Sequence, residues 1–184
     1  MIITVTGPSG SGKSSMVRLL KRKYGVKEII SATTRSPRPR EKDGVDYHFL
    51  SPEQFADTEM FESVEFGGNH YGTPMHEIHK AITDDYSSVY VIIADRKGAQ
   101  KFRENIRGCF SVYIQLDPEF AMQNLIRRDG KKKAVQRIKI DAKEGLMNRN
   151  GYDCVLKNDH SIESLAYQFM NFVESRQWVH KTTA

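Results

Sequence analysis

Cysteines and long apolar runs are scarce in this chain, and each scarcity excludes a class of protein. Only two cysteines, Cys109 and Cys154, occur in 184 residues, and at that separation they form neither a disulfide framework nor a paired metal site. We therefore expect ordinary thiols in a reducing compartment. No apolar stretch approaches the roughly 20 residues that a membrane-spanning helix needs, and the sequence has no internal repeat or low-complexity linker. The sequence thus points away from secreted, membrane and repeat proteins.

The remaining composition is that of a globular protein with a modest positive charge. Hydrophobic residues make up 39% and charged residues 28% of the chain, and the formal net charge is +5; these values suit one domain with a proper core. Because there is no long basic stripe, we expect no nucleic-acid partner. The charge fits a pocket for anionic phosphates, or equally a solvated basic surface. Met1 leads directly into an apolar run, so we expect no signal peptide, no membrane association and a cytoplasmic location.

The residues that follow this first apolar run fit the pattern G-x-x-x-x-G-K-[ST]. Glycines let backbone N–H groups converge on phosphate oxygens, and the next helix adds positive potential at its N-terminus. A Gly/Ser turn without a ligand is the alternative, but a strand before and a helix after favour a nucleoside triphosphate. We expect Lys13 to reach the β- and γ-phosphates and Ser14 to take a place on Mg²⁺. The predicted ATP-binding residues of the loop are Gly7, Pro8, Ser9, Gly10, Ser11, Gly12, Lys13, Ser14 and Ser15.

Apolar runs alternate with amphipathic segments along the rest of the chain. This alternation predicts an α/β fold with a central parallel sheet flanked by helices. We expect strands at 2–6, 27–31, 47–50, 61–66, 88–94, 110–116 and 152–156, and helices at 15–24, from 52, at 74–82, 118–128, 134–148 and 162–178, with a basic turn at 129–133. Residues 31–88 have short strands and many turns. We interpret them as an inserted mixed α/β lobe, with 1–30 and 89–184 as the core of a single domain covering 1–184.

The inserted segment begins with an arginine-rich stretch that suits a second phosphate group. Pro37 and Pro39 stiffen it, so Arg35 and Arg38 are presented with little entropy left to lose. Guanidinium groups fit phosphate oxygens in bidentate geometry. The alternative is a basic surface loop beside core tyrosines.

Five segments of the sequence resemble, in order and spacing, the motifs of guanylate kinases, and the resemblance extends to about residue 165. They are GPSGSGKSS, SATTRSPRPREKDGVDYHFLS, FESVEFGGNHYGT, DRKGAQ and NDHSIESL. The resemblance implies the P-loop kinase fold and transfer of the γ-phosphate of ATP to GMP, and we add dGMP as an expected acceptor. It also implies Mg²⁺ as cofactor. We expect a monomer or a homodimer.

The resemblance assigns a set of residues to the acceptor. Glu62 corresponds to the carboxylate that reads guanine, and the chemistry agrees, because one carboxylate accepts both N1–H and N2–H₂ of guanine while adenine lacks that donor pair. Glu65 could be confused with it, and counting back from Tyr71 favours Glu62. The implied GMP-binding residues are Ser31, Arg35, Arg38, Tyr47, Glu62, Tyr71, Thr73 and Asp95.

The resemblance also supplies the catalytic residues. Phosphoryl transfer requires alignment and charge neutralisation more than covalent help. The implied catalytic residues are Lys13, Arg128, Arg137 and Asp95, with the two arginines in a lid at about 128–137; two solvated helix arginines are the alternative. Asn158, together with Asp159, corresponds to an element near the donor base.

Three departures from the family pattern mark a divergent member. Ile93 stands where an Asp is usual, Arg96 and Lys97 replace an apolar residue and Gln, and the lid is short and carries three lysines at 131–133. Ile93 leaves open a related P-loop kinase with another nucleoside monophosphate or a sugar phosphate as acceptor. A non-catalytic binding module is the third possibility, which the intact Lys13 and Ser14 disfavour.

Overall fold

The computed structural model describes residues 1–85 and 87–182, and side chains up to residue 177. Tyr86, Thr183 and Ala184, which belong to the predicted ranges above, lie outside the described residues. In chain order the elements are β1 (Ile2–Thr6), α1 (Lys13–Tyr24), β2 (Lys27–Glu28), β3 (Ala32–Thr33), β4 (His48–Phe49), α2 (Pro52–Asp57), β5 (Met60–Phe66), β6 (Asn69–Pro74), α3 (Met75–Thr83), β7 (Tyr90–Ile93), α4 (Arg96–Asn105), β8 (Cys109–Gln115), α5 (Pro118–Asp129), α6 (Lys131–Lys143), β9 (Cys154–Lys157) and α7 (Ile162–Thr182).

The central sheet is parallel, as the apolar runs predict. Its strand order is β2-β7-β1-β8-β9, and every pairing in it is parallel. β1 is buried along its whole length, which explains its continuous apolar sequence. Alternate residues enter two cores: Ile3 and Val5 pack with α1 and α7 on one face, while Ile2 packs with α3 and α4 on the other. The expected α/β architecture with helices on both faces is confirmed.

A second, smaller sheet is formed within residues 32–74. Its order is β4-β3-β6-β5, with one parallel and two antiparallel pairings. β5 and β6 form a hairpin whose turn is Gly67-Gly68, with φ of 61° and 75°. Positive φ at both positions is what a type I′ turn requires, and its twist suits the flanking strands. The helix that follows, α3, packs Ile78 and Ala81 into the core of the central sheet, so it ties the small sheet to the large one.

The helices α2, α4 and α5 begin at residues whose side chains cap them. Ser51 and Gln54 form a capping box at α2 with Pro52 at its first position, and Asp117 caps α5. Asp95 caps α4 by accepting a hydrogen bond from the Gly98 N–H at 2.6 Å. Each cap satisfies a backbone donor that would otherwise lack a partner.

The predicted basic turn at 129–133 is wrong. α5 continues through Asp129, and α6 already begins at Lys131. Gly130 alone makes the turn, at φ 81° and ψ 158°, a conformation open essentially only to glycine. The three lysines are good helix formers, so they begin α6 rather than forming a loop.

Several element boundaries also differ from the prediction. The strands expected at 27–31 and 47–50 pair over only two residues each. The helix expected at 134–148 ends at Lys143, because Gly145 adopts a left-handed conformation with φ 68° and the chain turns back there. Among the described residues, no helix combines the length and the apolar character needed to cross a bilayer.

Candidate active site

A cleft of about 700 Å³ lies between the two sheets. Its floor is formed at the carboxyl ends of β1, β7 and β8, where open parallel sheets bind ligands. The small sheet forms one wall, and α5 and α6 form the other. Side chains separated by more than a hundred residues in sequence therefore face one another.

The loop between β1 and α1 has a backbone that depends on its glycines. Gly10 has φ 83°, and a Cβ there would lie 2.7 Å from the carbonyl oxygen of Ala121. Gly12 has φ 97° and is equally restricted by Asn158. Asn158 is buried and donates from Nδ2 to the Ser11 carbonyl at 2.9 Å. The loop is therefore held in one shape from behind by the chain segment after β9.

Lys13 stands at the first position of α1 with its ammonium group folded over the loop. Its Nζ donates to the carbonyl oxygens of Gly7 at 2.6 Å and Pro8 at 2.9 Å. Burial lowers the pKa of Lys13 to about 8; the Asp141 carboxylate opposes this shift, and two nearby arginine charges add to it. An anion placed against Lys13 would favour its charged form and so raise its pKa, against both the burial and the arginine charges.

Asp141, on α6, reaches across the cleft to the loop. One carboxylate oxygen accepts from the Ser9 N–H at 2.6 Å, and the other accepts from the Ser9 hydroxyl at 3.0 Å. The side chain is fully buried. A carboxylate thus occupies a donor pair in the loop whose sequence predicts phosphate binding.

The arginine-rich stretch is organised by Glu41. The Arg35 guanidinium lies 3.0 Å from a Glu41 carboxylate oxygen, and the Arg38 backbone N–H donates to the same carboxylate at 2.8 Å. Arg35 also lies over the Tyr47 ring, 5.5 Å from its centroid. The Tyr47 and Tyr71 rings meet edge to face at 6.1 Å. One carboxylate and one ring therefore hold Arg35 in place at the wall of the cleft.

Glu62 lies at the far end of the cleft on β5. The Thr73 hydroxyl donates to its Oε1 at 2.6 Å. Burial raises the pKa of Glu62, the Thr73 hydrogen bond opposes the shift, and the charge of Asp95 adds to it. Glu65 is three positions on, faces the other side of the strand and is exposed. Of the two candidate glutamates, the structure therefore brings only Glu62 to the cleft.

The helical wall contributes a cluster of cations. Arg128 donates to Asp129 at 2.8 Å, and Arg137 lies 3.1 Å from the same oxygen. Burial lowers the pKa of Arg38, and the charges of Arg137, Arg35 and Arg128 lower it further. Arginines from the small sheet and from the helical wall are thus close enough to repel one another across the cleft.

Comparison with known proteins decides which family this geometry belongs to. The family model described as guanylate kinase matches residues 1–176. The chain belongs to the guanylate kinase family. It is 30% identical over 181 residues to the guanylate kinase of Prochlorococcus marinus subsp. pastoris, covering 95% of this chain and 97% of that protein. Over 166 residues it is 36% identical to the guanylate kinase of a Nostoc species, covering 86% and 82%.

A solved guanylate kinase structure agrees with the fold as a whole. The crystal structure of guanylate kinase from Anaplasma phagocytophilum superposes with a TM-score of 0.67 at 29% identity, over 96% of this chain and 86% of that one. The resemblance stated from the sequence motifs is therefore confirmed.

Most residues that the family resemblance predicted lie along the one cleft. Four do not line it: Pro8, the buried Ser11, the buried Thr73, which donates a hydrogen bond to Glu62, and Asp159. Asp159 is exposed near the start of α7 and accepts from the Ser164 hydroxyl. The predicted residues that line the cleft are Gly7, Ser9, Gly10, Gly12, Lys13, Ser14, Ser15, Ser31, Arg35, Arg38, Tyr47, Glu62, Tyr71, Asp95, Arg128, Arg137 and Asn158.

The departures from the guanylate kinase pattern fall in different places. Ile93 lines the cleft at the end of β7. Arg96 points away from it and donates to the Asn148 carbonyl at 3.1 Å. The lysines at 131–133 are exposed at the start of α6.

Sequence reasoning missed three acidic residues that organise the site: Glu41, Asp129 and Asp141. The sequence does mark Asp141, because it is the single acidic residue in α6. It follows Arg137 by four positions, which places both side chains on one face of the helix. Glu41 and Asp129 resemble ordinary surface acids in the sequence, and only their arginine partners distinguish them.

Proposed function

We propose that this protein transfers the γ-phosphate of ATP to GMP, giving ADP and GDP. The observation that carries the proposal is the presence, in one cleft, of a complete phosphate loop and of the half-buried Glu62, which is hydrogen-bonded to the buried Thr73. Membership of the guanylate kinase family supports the same reaction. We expect the protein to meet these small molecules in the cytoplasm, as a monomer or a homodimer.

The donor end would bind the triphosphate through backbone N–H groups and Lys13. A helix N-terminus and a cationic side chain both favour anions at this position. When phosphate oxygens replace the carbonyl partners of Lys13, its ammonium group gains charge-assisted hydrogen bonds. Lys13 would then remain with the phosphoryl group during transfer.

The acceptor phosphate would lie against the arginine-rich stretch. Arg35 is already oriented by Glu41 and by the Tyr47 ring, so little side-chain entropy remains to be lost on binding. Arg38, Ser31 and Tyr71 line the same wall. The phosphate of the monophosphate is itself the nucleophile, so no general base is required.

Base selection would rest on Glu62. Its carboxylate can accept both N1–H and N2–H₂ of guanine, and the Thr73 hydroxyl fixes its orientation. An adenine offers no such donor pair, so the half-buried carboxylate would keep only its Thr73 hydrogen bond and lose its hydrogen bonds to water, which is costly. Since Ile93 is apolar, base recognition depends on Glu62 and Thr73 more than on the end of β7. None of the described residues that line the cleft would clash with an acceptor lacking the 2′-hydroxyl, so we expect dGMP as a second acceptor.

Transfer would depend on positioned positive charge. Arg128 and Arg137 are held at the cleft by Asp129 and can shift to the transferring group, whose equatorial oxygens carry spread negative charge. Closure of α5 and α6 over the small sheet would exclude water, which otherwise competes as acceptor.

We include Mg²⁺ because the residues present fit it. Mg²⁺ keeps several waters and binds through one or two protein oxygens plus phosphates. The Ser14 hydroxyl and the Asp95 carboxylate both line the cleft, and they supply such oxygens. When bound, the ion neutralises phosphate charge and orients the donor.

An acceptor screen tests the proposal. ATP and Mg²⁺ are supplied with GMP, dGMP, AMP, CMP, UMP or dTMP, and ADP formation is measured by a coupled assay. We expect turnover with GMP and dGMP alone. Lys13→Ala should lose turnover with every acceptor, since it acts on the donor.

Two results would contradict the proposal. Preference for another nucleoside monophosphate would indicate a related kinase with a different acceptor. No turnover with any acceptor, in a protein that still binds ATP, would indicate a binding module.

A further inference from the structure

A second polar cluster lies outside the cleft, where the small sheet meets α3. It consists of His48 on β4 and His76 and Glu77 in the first turn of α3. None of the three lines the cleft, and the reaction proposed above uses none of them. The cluster therefore requires its own explanation.

The ligand atoms of this cluster converge on one point. Nε2 of His48 lies 3.2 Å from Oε1 of Glu77, and Nε2 of His76 lies 3.8 Å from the same oxygen. One atom from each residue falls within 4.8 Å of the other two. Zinc bonds of about 2.0–2.1 Å in a tetrahedron place ligand atoms about 3.3 Å apart. A small rotation of His76, whose side chain is 66% exposed, would complete that spacing.

Glu77 is buried and poorly compensated for a carboxylate. Its exposure is 6%, and its second oxygen accepts from the Ile30 N–H at 3.4 Å. Among the described residues, the only basic side chains with a nitrogen within 4.0 Å of its carboxylate are the two histidines, and no lysine or arginine pairs with it. A buried carboxylate requires paired positive charge, and a divalent ion between the three groups would supply it. The Ile30 contact would orient the carboxylate, as outer hydrogen bonds do at metal sites.

We propose that His48, His76 and Glu77 form a binding site for a zinc-class divalent cation. Two imidazoles and one carboxylate are a donor set that suits Zn²⁺ and its neighbours in the first transition row, and suits Mg²⁺ poorly. The exposed side of His76 leaves a fourth position to water. The bound ion would connect β4 to α3 just before Ile78, which packs into the core of the central sheet. It would thereby fasten the small sheet to the large one.

Direct metal binding tests this site. The full-length, untagged protein, free of nucleotide and stripped with a chelator, is titrated with Zn²⁺ by calorimetry. We expect one Zn²⁺ per chain and a melting temperature that rises with free Zn²⁺, because the ion binds the folded state. Co²⁺ in place of Zn²⁺ should give the intense visible absorption of a four-coordinate site.

Substitutions separate this site from other metal-binding groups. His76→Gln removes an exposed ligand with little risk to folding, and we expect at least a tenfold loss of Zn²⁺ affinity. His79→Gln, on the same helix and also exposed, is the matched control and should bind as the unaltered protein does. Cys109→Ser with Cys154→Ser should leave the affinity unchanged.

Three results would overturn the proposal. These are no saturable binding at one ion per chain, equal Zn²⁺ affinity in His76→Gln and His79→Gln, and loss of binding in the double cysteine variant. In each case His48 and Glu77 would form a simple polar contact.

Discussion

Glu62 and Glu65 offer a matched pair of substitutions on one strand. Glu62→Gln keeps the size of the side chain and its Thr73 partner, but it replaces one carboxylate oxygen with an NH₂ group. That group would donate toward the guanine N–H groups instead of accepting from them. Since hydrogen bonds to a charged group contribute about 1.5–3 kcal/mol each, we expect kcat/KM for GMP to fall by about 100-fold or more. Steady-state kinetics with GMP and AMP measure this.

Glu65→Gln is the control, because Glu65 is exposed on the other face of β5. It should leave kcat/KM for GMP unchanged. Full GMP selectivity in Glu62→Gln would contradict the assignment of base recognition to this residue.

From the lowered pKa of Lys13 we expect activity to fall at alkaline pH. Burial lowers its pKa to about 8, below the ordinary 10.5, so the free enzyme loses this charge as the pH rises through about 8. We expect kcat/KM for ATP to fall above that pH. Bound phosphates favour the charged form, so kcat should remain flat to higher pH. If kcat and kcat/KM for ATP fell at the same alkaline pH, Lys13 would not be the titrating group.

The effect of Lys13 on stability runs opposite to its effect on activity, because stability increases as the pH rises. The unfolded chain binds the Lys13 proton more tightly than the folded protein does, so protonation of this lysine lowers the free energy of unfolding. Its unfavourable contribution is present below about pH 8 and declines between pH 8 and 10.5.

At the scale of elements, α6 is connected to the phosphate loop through Asp141. The carboxylate occupies the Ser9 N–H and hydroxyl, and it places negative charge where a phosphate is expected. Asp141→Asn removes the charge while keeping the shape. We expect kcat/KM for ATP at pH 7 to rise several-fold.

The same substitution should also change the pH profile. Because the Asp141 charge raises the pKa of Lys13, its removal should move the alkaline limb to lower pH. A purely structural contact would not move that limb. A lower kcat/KM for ATP at pH 7 would instead show that Asp141 organises the loop for binding.

At the scale of the whole molecule, the cleft divides its cations between two walls. The small sheet side contributes Arg35 and Arg38, and the helical wall contributes Arg128 and Arg137. Burial lowers the pKa of Arg38, and the charges of Arg137 and Arg128 across the gap lower it further. Phosphates placed between the walls would neutralise this repulsion and draw the walls together.

We therefore expect the two nucleotides to stabilise the protein cooperatively. GMP with ADP is an unreactive pair, and together they should raise the melting temperature by more than the sum of their separate effects. Guanosine with adenosine, which lack phosphates, should show no such excess. Strictly additive shifts with GMP and ADP would contradict phosphate-driven closure.

The success of sequence reasoning varied with the range of the interactions. The strand, loop and helix around residues 2–24 and the start of the helix at residue 52 were predicted, because each depends on backbone preferences within a few residues. The prediction of a turn at 129–133 was wrong, because Gly130 alone is enough to reverse the chain between α5 and α6. The family motifs placed most of the cleft residues, but Asp141 lies outside all five motifs, and Glu41, although inside the second, was given no role.

The sequence by itself determined the parallel α/β core, the phosphate loop and the family. Short-range backbone preferences, apolar periodicity and motif spacing are sufficient for these features. Only the tertiary structure decided which charges meet. Asp141 reaches Ser9 across 132 residues, and His48 meets Glu77 across 29 residues. Such pairs depend on how sheets and helices pack, and no local pattern in the chain encodes that packing.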